Sequence, residues 1–250
     1  MKIIGIIPAR YGSSRFPGKP LVDIWGKPMI LRVVERAEAS KSLSEVIVAT
    51  DDVRIAEVVL KAGKKVVITS EEHPSGTDRC LEVVEKLGVS VDAVINIQGD
   101  EPFVKPEQID HLARMISEPQ TQIATLAIKI EDPNWLGDPN KVKVVFDKNG
   151  KALYFSRQAI PFVKNLDQRD WLNKLDYFKH VGLYAYKTDV LNEICELKTS
   201  SFEQVESLEQ LRWLQSGYSI FVGVTPWETP AIDSPADLDA LLKSSESSYL

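Results

Sequence analysis

Residues 6–20 read I-I-P-A-R-Y-G-S-S-R-F-P-G-K-P, and the interpretation of the whole chain begins with this stretch. The apolar run at residues 3–7 predicts a buried strand that ends at Pro8. The glycines and serines that follow predict a loop whose backbone N–H groups are free to point at an anion. Arg10, Arg15 and Lys19 would add three positive charges. The pattern indicates a cradle for a polyphosphate, and an ordinary basic loop at a sheet edge is the alternative.

This loop matches neither of two familiar phosphate-binding motifs. Five residues, rather than four, separate Gly12 from Gly18-Lys19, and Pro20 stands where a Walker A loop has its metal-binding hydroxyl. Gly12 and Gly18 are also too far apart for the G-x-G-x-x-G fingerprint. The loop therefore indicates a different kind of nucleotide site.

The overall composition excludes several classes of protein. The chain has 250 residues, of which 44% are hydrophobic and 26% charged, so it can form one large α/β domain. Its net charge of −6 argues against non-specific nucleic-acid binding, and Cys80 and Cys195 are too few for a disulfide framework. No apolar run approaches the roughly 18 residues of a membrane span, and no signal-peptide pattern precedes the first strand. We expect a cytoplasmic protein without membrane insertion.

Strands and helices alternate through the first third of the chain. After the opening loop, helical periodicity at residues 29–39 is followed by a strand at 45–50, a helix at 53–62 and a strand at 65–68. This rhythm predicts a Rossmann-like, mostly parallel sheet with right-handed crossovers. A nucleotide would bind beyond the carboxyl ends of its strands.

The middle of the chain departs from this pattern. Residues 141–146 alternate with period two, and Asp147-Lys148-Asn149-Gly150 is a hairpin turn signal. We predict a small antiparallel lobe within residues 124–190, inside a single domain that spans residues 1–250 because no linker composition marks a boundary. Residues 202–215 are predicted to form one helix, and Ser234 to cap the last one.

Asp100 follows another predicted strand, residues 93–97. It therefore lies at the same sheet edge as the opening loop. A carboxylate opposite bound phosphates is a common magnesium ligand, although a turn aspartate before the helix at Pro106 is the alternative.

Several motifs, in the same order along the chain, resemble those of the CMP-sugar-acid synthetase family. Besides the opening loop they are N-I-Q-G-D-E-P (96–102), Y-F-S-R (154–157), H-V-G-L-Y (180–184), L-E-Q-L-R (208–212) and I-D-S-P (232–235). The motifs are most similar to those of the 3-deoxy-manno-octulosonate (Kdo) cytidylyltransferases. The resemblance covers nearly the whole chain. It implies an α/β fold of the nucleotide-diphospho-sugar transferase type, a small antiparallel dimerisation lobe and a homodimer.

The resemblance also implies a reaction, in which CTP and Kdo give CMP-Kdo and pyrophosphate for lipopolysaccharide biosynthesis, with Mg²⁺ as cofactor. The implied catalytic residues are Arg10, Arg15, Lys19, Asp100 and Asp233, of which the two aspartates would hold the metal. The implied nucleotide-binding residues are Pro8, Ala9, Arg10, Gly12, Ser13, Arg15, Lys19, Ser75, Gly76, Thr77 and Arg79. The implied sugar-acid-binding residues are Gln98, Arg157, His180, Glu206 and Glu209.

Three other functions remain open at this point. The acceptor could be 8-amino-3,8-dideoxy-manno-octulosonate, because no motif reports the single group that distinguishes this sugar from Kdo. A sialic acid is also an alternative, although Y-F-S-R and the segment around His180 favour Kdo. A metal-dependent glycosyltransferase shares the general sheet design, but Asp100-Glu101 is a poor substitute for the aspartate pair it needs. A catalytically silent nucleotide-binding module is the third, although such a module has no need of two metal carboxylates.

Overall fold

The computed structural model describes residues 1–12 and 15–246 of the chain. They belong to two compact units. The first unit comprises Met1–Ala113 together with the chain from Thr229 onward, and the second comprises Arg114–Glu228.

The strands of the described residues are, in chain order, β1 (Ile3–Ala9), β2 (Asp23–Ile24), β3 (Lys27–Pro28), β4 (Glu45–Thr50), β5 (Lys65–Ile68), β6 (Ala93–Asn96), β7 (Ile123–Lys129), β8 (Lys143–Phe146), β9 (Ala152–Ser156), β10 (Phe178–Lys187) and β11 (Ile220–Val224). The helices are α1 (Met29–Glu38), α2 (Val53–Lys61), α3 (Gly76–Leu87), α4 (Pro106–Ser117), α5 (Asn134–Gly137), α6 (Thr188–Cys195), α7 (Ser201–Glu206), α8 (Gln210–Gln215) and α9 (Pro235–Leu242). Short 3₁₀ turns occupy Lys19–Leu21 and Gln168–Asn173. Among the described residues, no helix is long and apolar enough to cross a membrane.

The first unit contains a parallel sheet with the strand order β6-β1-β4-β5. Its central strand β1 is a continuous apolar run in which Ile4, Ile6 and Ile7 are fully buried, as is typical of a parallel strand covered on both faces. All four carboxyl ends therefore lie at one edge, where loops from distant parts of the sequence meet. The predicted α/β class with a mostly parallel sheet is confirmed.

Strand β1 continues through Pro8 and Ala9, so its predicted end at Pro8 is wrong. The pairing of β1 with β6 ends at Ile6, whereas Pro8 and Ala9 still pair with β4. A proline is tolerated here because it has no N–H to donate and the strand has a paired neighbour on one side only. The extension carries Ala9 and the start of the basic loop beyond the end of β6.

The second unit is built mainly from antiparallel pairs. Strand β10 pairs antiparallel with β7 and β8, β8 pairs antiparallel with β9, and β11 runs parallel to β7. The predicted hairpin turn forms between β8 and β9, where the N–H of Gly150 donates to the carbonyl of Asp147 at 3.0 Å. Gly150 has a φ of 81°, which explains the glycine at this position. The antiparallel region is thus confirmed.

The single helix predicted over residues 202–215 is wrong, because the chain breaks into α7 and α8. Ser207 adopts a left-handed conformation with a φ of 52° and ends α7. The break leaves carbonyl groups without helical partners. The guanidinium of Arg157 donates to two of them, the carbonyls of Glu206 and Ser207, at 2.7 and 3.2 Å. A contact from Arg157, which directly follows β9, therefore stabilises an interruption that local periodicity does not reveal.

Candidate active site

The carboxyl edge of the first unit's sheet carries an open cavity of about 280 Å³. It is lined by the end of β1, the basic loop, the start of α3, the loop after β6 and the segment before α9. Eleven predicted site residues lie together in its wall, namely Pro8, Ala9, Arg10, Arg15, Lys19, Ser75, Gly76, Arg79, Gln98, Asp100 and Asp233. Gln98, predicted to bind the sugar acid, is therefore beside the residues predicted to bind the nucleotide.

Lys19 joins the two predicted metal carboxylates. Its Nζ donates to Oδ2 of Asp100 at 2.6 Å, to Oδ1 of Asp233 at 3.0 Å and to the carbonyl of Ile232 at 3.4 Å. An ammonium group has three N–H donors, so these three acceptors use all of them. The Lys19 side chain is only 14% exposed. Arg15, which is largely exposed, places Nη2 3.2 Å from the same oxygen of Asp233.

The position of Asp233 is fixed by the start of α9. The Oδ2 atom of Asp237 accepts hydrogen bonds from the backbone N–H groups of Asp233 and Ser234, at 3.0 and 2.8 Å. Burial alone would raise the pKa of the Asp237 carboxyl, but these bonds and the Ser234 hydroxyl hold it below its usual value. The N–H of Ile232 also donates to the carbonyl of Asp100 at 3.0 Å. These contacts therefore hold the backbone of both aspartates side by side, independently of Lys19.

Asp100 owes its position to a close approach of two loops. A Cβ added at Gly99 would lie 2.7 Å from the carbonyl oxygen of Pro8, a distance that real side chains do not adopt. Only glycine allows the chain after β6 to touch the end of β1 here. This role for Gly99 was missed because nothing in the sequence shows what its backbone approaches.

The two ends of the basic loop are held by contacts to Tyr11. The N–H of Gly18 donates to the carbonyl of Tyr11 at 2.9 Å, and Gly18 has a positive φ of 74°. The guanidinium of Arg54 lies over the Tyr11 ring, 3.3 Å from its centroid, and is held by Asp52. Of the predicted loop residues, Ser13 lies outside the described residues, and Gly12 does not line the cavity.

Helix α3 begins at Gly76. Ser75 is its N-cap, and the Ser75 hydroxyl accepts hydrogen bonds from the N–H groups of Thr77 and Asp78. The N-terminus of this 12-residue helix therefore borders the cavity, an arrangement that favours anions. Thr77 is buried in the first turn and does not line the cavity.

Arg79 uses its guanidinium within the protein. It donates to the Thr69 hydroxyl and, at 2.7 Å, to Oδ2 of Asp51, and its side chain is 5% exposed. Such a buried pair fixes the helix against β4 and leaves little of the charge for a ligand. His73 and Pro74 also line the cavity but were missed, although they directly precede the predicted site residue Ser75.

The second unit contains the other predicted sugar-acid residues, and two of them contact each other. The carboxylate of Glu206 accepts hydrogen bonds from the Ser156 hydroxyl at 2.6 Å and from the backbone N–H of Arg157 at 2.9 Å. The Arg157 guanidinium donates to the backbone carbonyls of Glu206, Ser207 and Pro139. A ligand carboxylate that bound Arg157 would compete with these carbonyls.

Lys143 supports the same region and was missed. Its position in the alternating segment suggests an ordinary surface lysine, yet it is fully buried. Its Nζ donates to the carbonyls of Asp138 and Arg157, at 2.9 and 2.6 Å. Burial lowers the pKa of its ammonium, while the charges of Asp138 and Glu206 oppose that change. No periodicity in the sequence reports these two carbonyl partners.

His180 lies among aromatic rings and hydroxyl groups. Its Nε2 is 2.9 Å from the hydroxyl of Thr125, and the rings of Phe155 and Tyr184 lie 5.2 Å away, between centroids. Burial lowers the pKa of His180 to about 3, and the charge of Lys179 acts in the same direction. The imidazole is therefore neutral near pH 7 and can offer a ligand a hydrogen bond but no charge.

Acidification should destabilise the protein through His180. The residue binds a proton below about pH 6.5 in the unfolded chain but only near pH 3 in the folded protein, so the free energy of unfolding falls between these values. The contribution of His180 to this loss should approach about 1.4 kcal/mol per pH unit. Urea unfolding at several pH values in this window should give a shallower pH dependence for His180→Gln, which keeps a polar partner for Thr125. An equal pH dependence of the unfolding free energy in the two proteins would show that His180 does not have a lowered pKa in the folded protein.

Glu209 is held in an ion pair close to this group. Its Oε1 lies 2.9 Å from Nη2 of Arg212, whose Nε lies 3.3 Å from Oε2 of Glu203. Burial raises the pKa of the Tyr184 hydroxyl well above its usual value, and the charge of Glu209 adds to that effect. The charge of Glu209 therefore acts on Tyr184, which packs against His180. Glu206 instead contacts Arg157.

The predicted metal ligands are compatible with a magnesium ion. Asp100 and Asp233 supply hard carboxylate oxygens, and both already converge on one cation, the ammonium of Lys19. Within residues 1–12 and 15–246, no group of three or more His, Cys, Asp or Glu side chains could hold a metal ion. The two carboxylates would therefore form part of a coordination shell that phosphate oxygens and water complete, as is usual for Mg²⁺.

Comparison with known proteins finds similar sequences and a similar structure. The sequence profile of a family described as cytidylyltransferase matches residues 4–220. A 3-deoxy-manno-octulosonate cytidylyltransferase from Cytophaga hutchinsonii is 54% identical over 239 residues, which are 95% of each chain. An 8-amino-3,8-dideoxy-manno-octulosonate cytidylyltransferase from Shewanella pealeana is 46% identical over 95% of this chain and 96% of its own. A solved CMP:2-keto-3-deoxy-manno-octonic acid synthetase in complex with CTP superposes with a TM-score of 0.90 and 44% identity, covering 97% of this chain and 98% of that one.

Proposed function

The chain belongs to the cytidylyltransferase family, and from this premise we propose that it transfers the cytidylyl group of CTP to Kdo, giving CMP-Kdo and pyrophosphate. The observation that carries this proposal is the cluster of Lys19, Asp100 and Asp233 at the carboxyl edge of the sheet. The cluster places an ammonium group for a triphosphate beside two carboxylates for a metal ion, and Arg10 and Arg15 line the same cavity. The product would serve lipopolysaccharide biosynthesis.

The reaction requires no covalent intermediate on the protein. The 2-hydroxyl oxygen of the sugar acid bonds to the α-phosphorus of CTP in line, the bond from that phosphorus to the bridging oxygen breaks, and pyrophosphate leaves with the electron pair. The proton of the hydroxyl is released. The protein's contribution is to position the two substrates and to neutralise charge on the transferring phosphate.

The cavity residues divide these tasks. Arg10, Arg15 and Lys19 supply positive charge for the triphosphate, and the N-terminus of α3 adds its dipole beside the cavity. Asp100 and Asp233 would hold Mg²⁺, which when bound neutralises phosphate oxygens and lowers the pKa of an attacking hydroxyl. Gln98, in the same wall, can donate or accept a hydrogen bond to the sugar acid.

Two groups in the second unit are proposed to serve the sugar acid. Burial keeps the pKa of His180 low, so its imidazole is neutral. A neutral imidazole can form a hydrogen bond with a hydroxyl group of the sugar acid. Arg157 and Glu206 hold each other and the end of α7, so we assign them to positioning this region as well as to binding. A positively charged contact to the sugar carboxylate would therefore come from Arg157 rather than from His180.

We also propose a cytoplasmic homodimer. Phe202 and Val205 lie one turn apart on α7 and are 48% and 85% exposed, which is compatible with an apolar surface that a second copy covers. Sedimentation velocity would distinguish a dimer from a monomer. The cytoplasm is where a CTP-dependent reaction has its nucleotide.

The function is tested by pyrophosphate release with CTP and Mg²⁺. Kdo, 8-amino-3,8-dideoxy-manno-octulosonate and N-acetylneuraminate are each added in parallel, and we expect release that depends on Kdo. Release with the amino sugar alone would leave the reaction class intact but replace the acceptor. Hydrolysis of a nucleotide-sugar without any pyrophosphate release would favour a glycosyltransferase. CTP binding without turnover on any acceptor would favour a silent nucleotide-binding module.

A further inference from the structure

The Lys19 ammonium is bound to the carboxylates that a metal ion would need. A triphosphate would in turn need the N–H donors of Lys19 that these carboxylates occupy. Its three N–H donors are taken by Asp100, Asp233 and the carbonyl of Ile232. A phosphate oxygen can bind Lys19 only if at least one of these acceptors is released. Conversely, a cation that binds Oδ2 of Asp100 or Oδ1 of Asp233 must displace Lys19 from that oxygen. Metal binding and triphosphate binding therefore both compete with the ion pairs of Lys19 to Asp100 and Asp233.

The backbone of Asp100 and Asp233 is held by contacts that do not involve Lys19. Asp237 holds the backbone of Asp233, and the N–H of Ile232 binds the carbonyl of Asp100. The Lys19 side chain reaches the pair on an unbranched four-carbon stem, which can move without moving the backbone. The cluster thus consists of two aspartates with a held backbone, the movable ammonium of Lys19, and the largely exposed Arg15, which also pairs with Asp233.

We propose that Lys19 is an internal competitor of the divalent metal ion, bound to Asp100 and Asp233 in the nucleotide-free protein and transferred to phosphate oxygens when the nucleotide binds. The metal ion then enters together with the triphosphate, because the phosphates give Lys19 substitute acceptors and free the carboxylates. Binding of metal and nucleotide is therefore coupled, and the coupling is the same in either order. This inference rests on the proposed function for the identity of the nucleotide.

The test is Mn²⁺ binding, followed by the electron paramagnetic resonance signal of free Mn²⁺. Without nucleotide, Lys19→Met should bind Mn²⁺ roughly tenfold more tightly than the parent protein, because the competing cation is gone. Adding CTP should strengthen Mn²⁺ binding by a larger factor in the parent than in the variant. Comparing the two proteins cancels the affinity of Mn²⁺ for CTP in solution.

A matched control is Arg10→Met, which removes one positive charge from the same cavity. Among the described ion pairs, Arg10 has none with Asp100 or Asp233, so this variant should increase Mn²⁺ affinity much less. If both variants gain equally, the effect is one of general charge and the proposal is wrong. Unchanged or weaker Mn²⁺ binding by Lys19→Met would also overturn it.

A second variant keeps the test decisive if Lys19→Met folds poorly. Lys19→Gln retains N–H donors for one carboxylate without a charge, and it should also bind Mn²⁺ more tightly. The measurement without nucleotide does not depend on the acceptor or on turnover. Failure of the pyrophosphate assay with tight Mn²⁺ binding by the variants would reject the proposed function and leave the competition standing.

Discussion

Asp100→Asn is expected to lower kcat for pyrophosphate release by roughly 10²–10³-fold. Asp100 and Asp233 are the two carboxylates that meet at Lys19 in the cavity, and the amide removes one of the two negative charges available to a metal ion. The similar shape of asparagine keeps the loop after β6 in place. Steady-state kinetics at saturating CTP and acceptor measure the effect, and Asp233→Asn should behave in the same way.

CTP binding should survive this substitution better than turnover. Arg10, Arg15 and Lys19 remain, and Lys19 loses one competing acceptor, so the dissociation constant for CTP should change by less than about tenfold. Asp239→Asn is the matched control, because Asp239 is an exposed aspartate on α9 that does not line the cavity. A near-normal kcat for Asp100→Asn would show that the metal assignment is wrong.

Gly99→Ala should impair both stability and activity. The added Cβ would lie 2.7 Å from the Pro8 carbonyl oxygen, so the end of β1 and the loop after β6 must separate. Such overpacking typically costs about 1–3 kcal/mol of unfolding free energy. Since Pro8 and Asp100 both line the cavity, we expect kcat/KM to fall by at least about tenfold as well.

Chemical denaturation and steady-state kinetics check this expectation together. Gly137→Ala provides the control: Gly137 lies in α5, and a Cβ there would have ordinary space, with its nearest neighbour, Oε1 of Gln168, 4.0 Å away. It should leave stability within about 0.5 kcal/mol of the parent. Wild-type stability and activity in Gly99→Ala would mean that the contact with Pro8 relaxes freely and does not position Asp100.

The sequence by itself determined the strands of the parallel sheet in the first unit and the edge at which its site lies. Apolar runs such as residues 45–50 carry the period and length of buried parallel strands, and parallel strands place their carboxyl ends together. Ser234 before Pro235 predicted the start of α9, and Asp147 to Gly150 predicted the hairpin turn, because caps and turns depend on neighbouring residues.

Only the tertiary structure decided which groups meet at that edge. The three hydrogen bonds of Lys19, the approach of Gly99 to Pro8 and the burial of Lys143 against two carbonyls all join segments that are far apart in the chain. The break at Ser207 likewise depends on a residue far away in the chain, because Arg157, just after β9, donates to the carbonyls of Glu206 and Ser207. Local periodicity reports which face of an element is apolar. It does not report the partner of a polar group, because that partner is set by how separate elements pack.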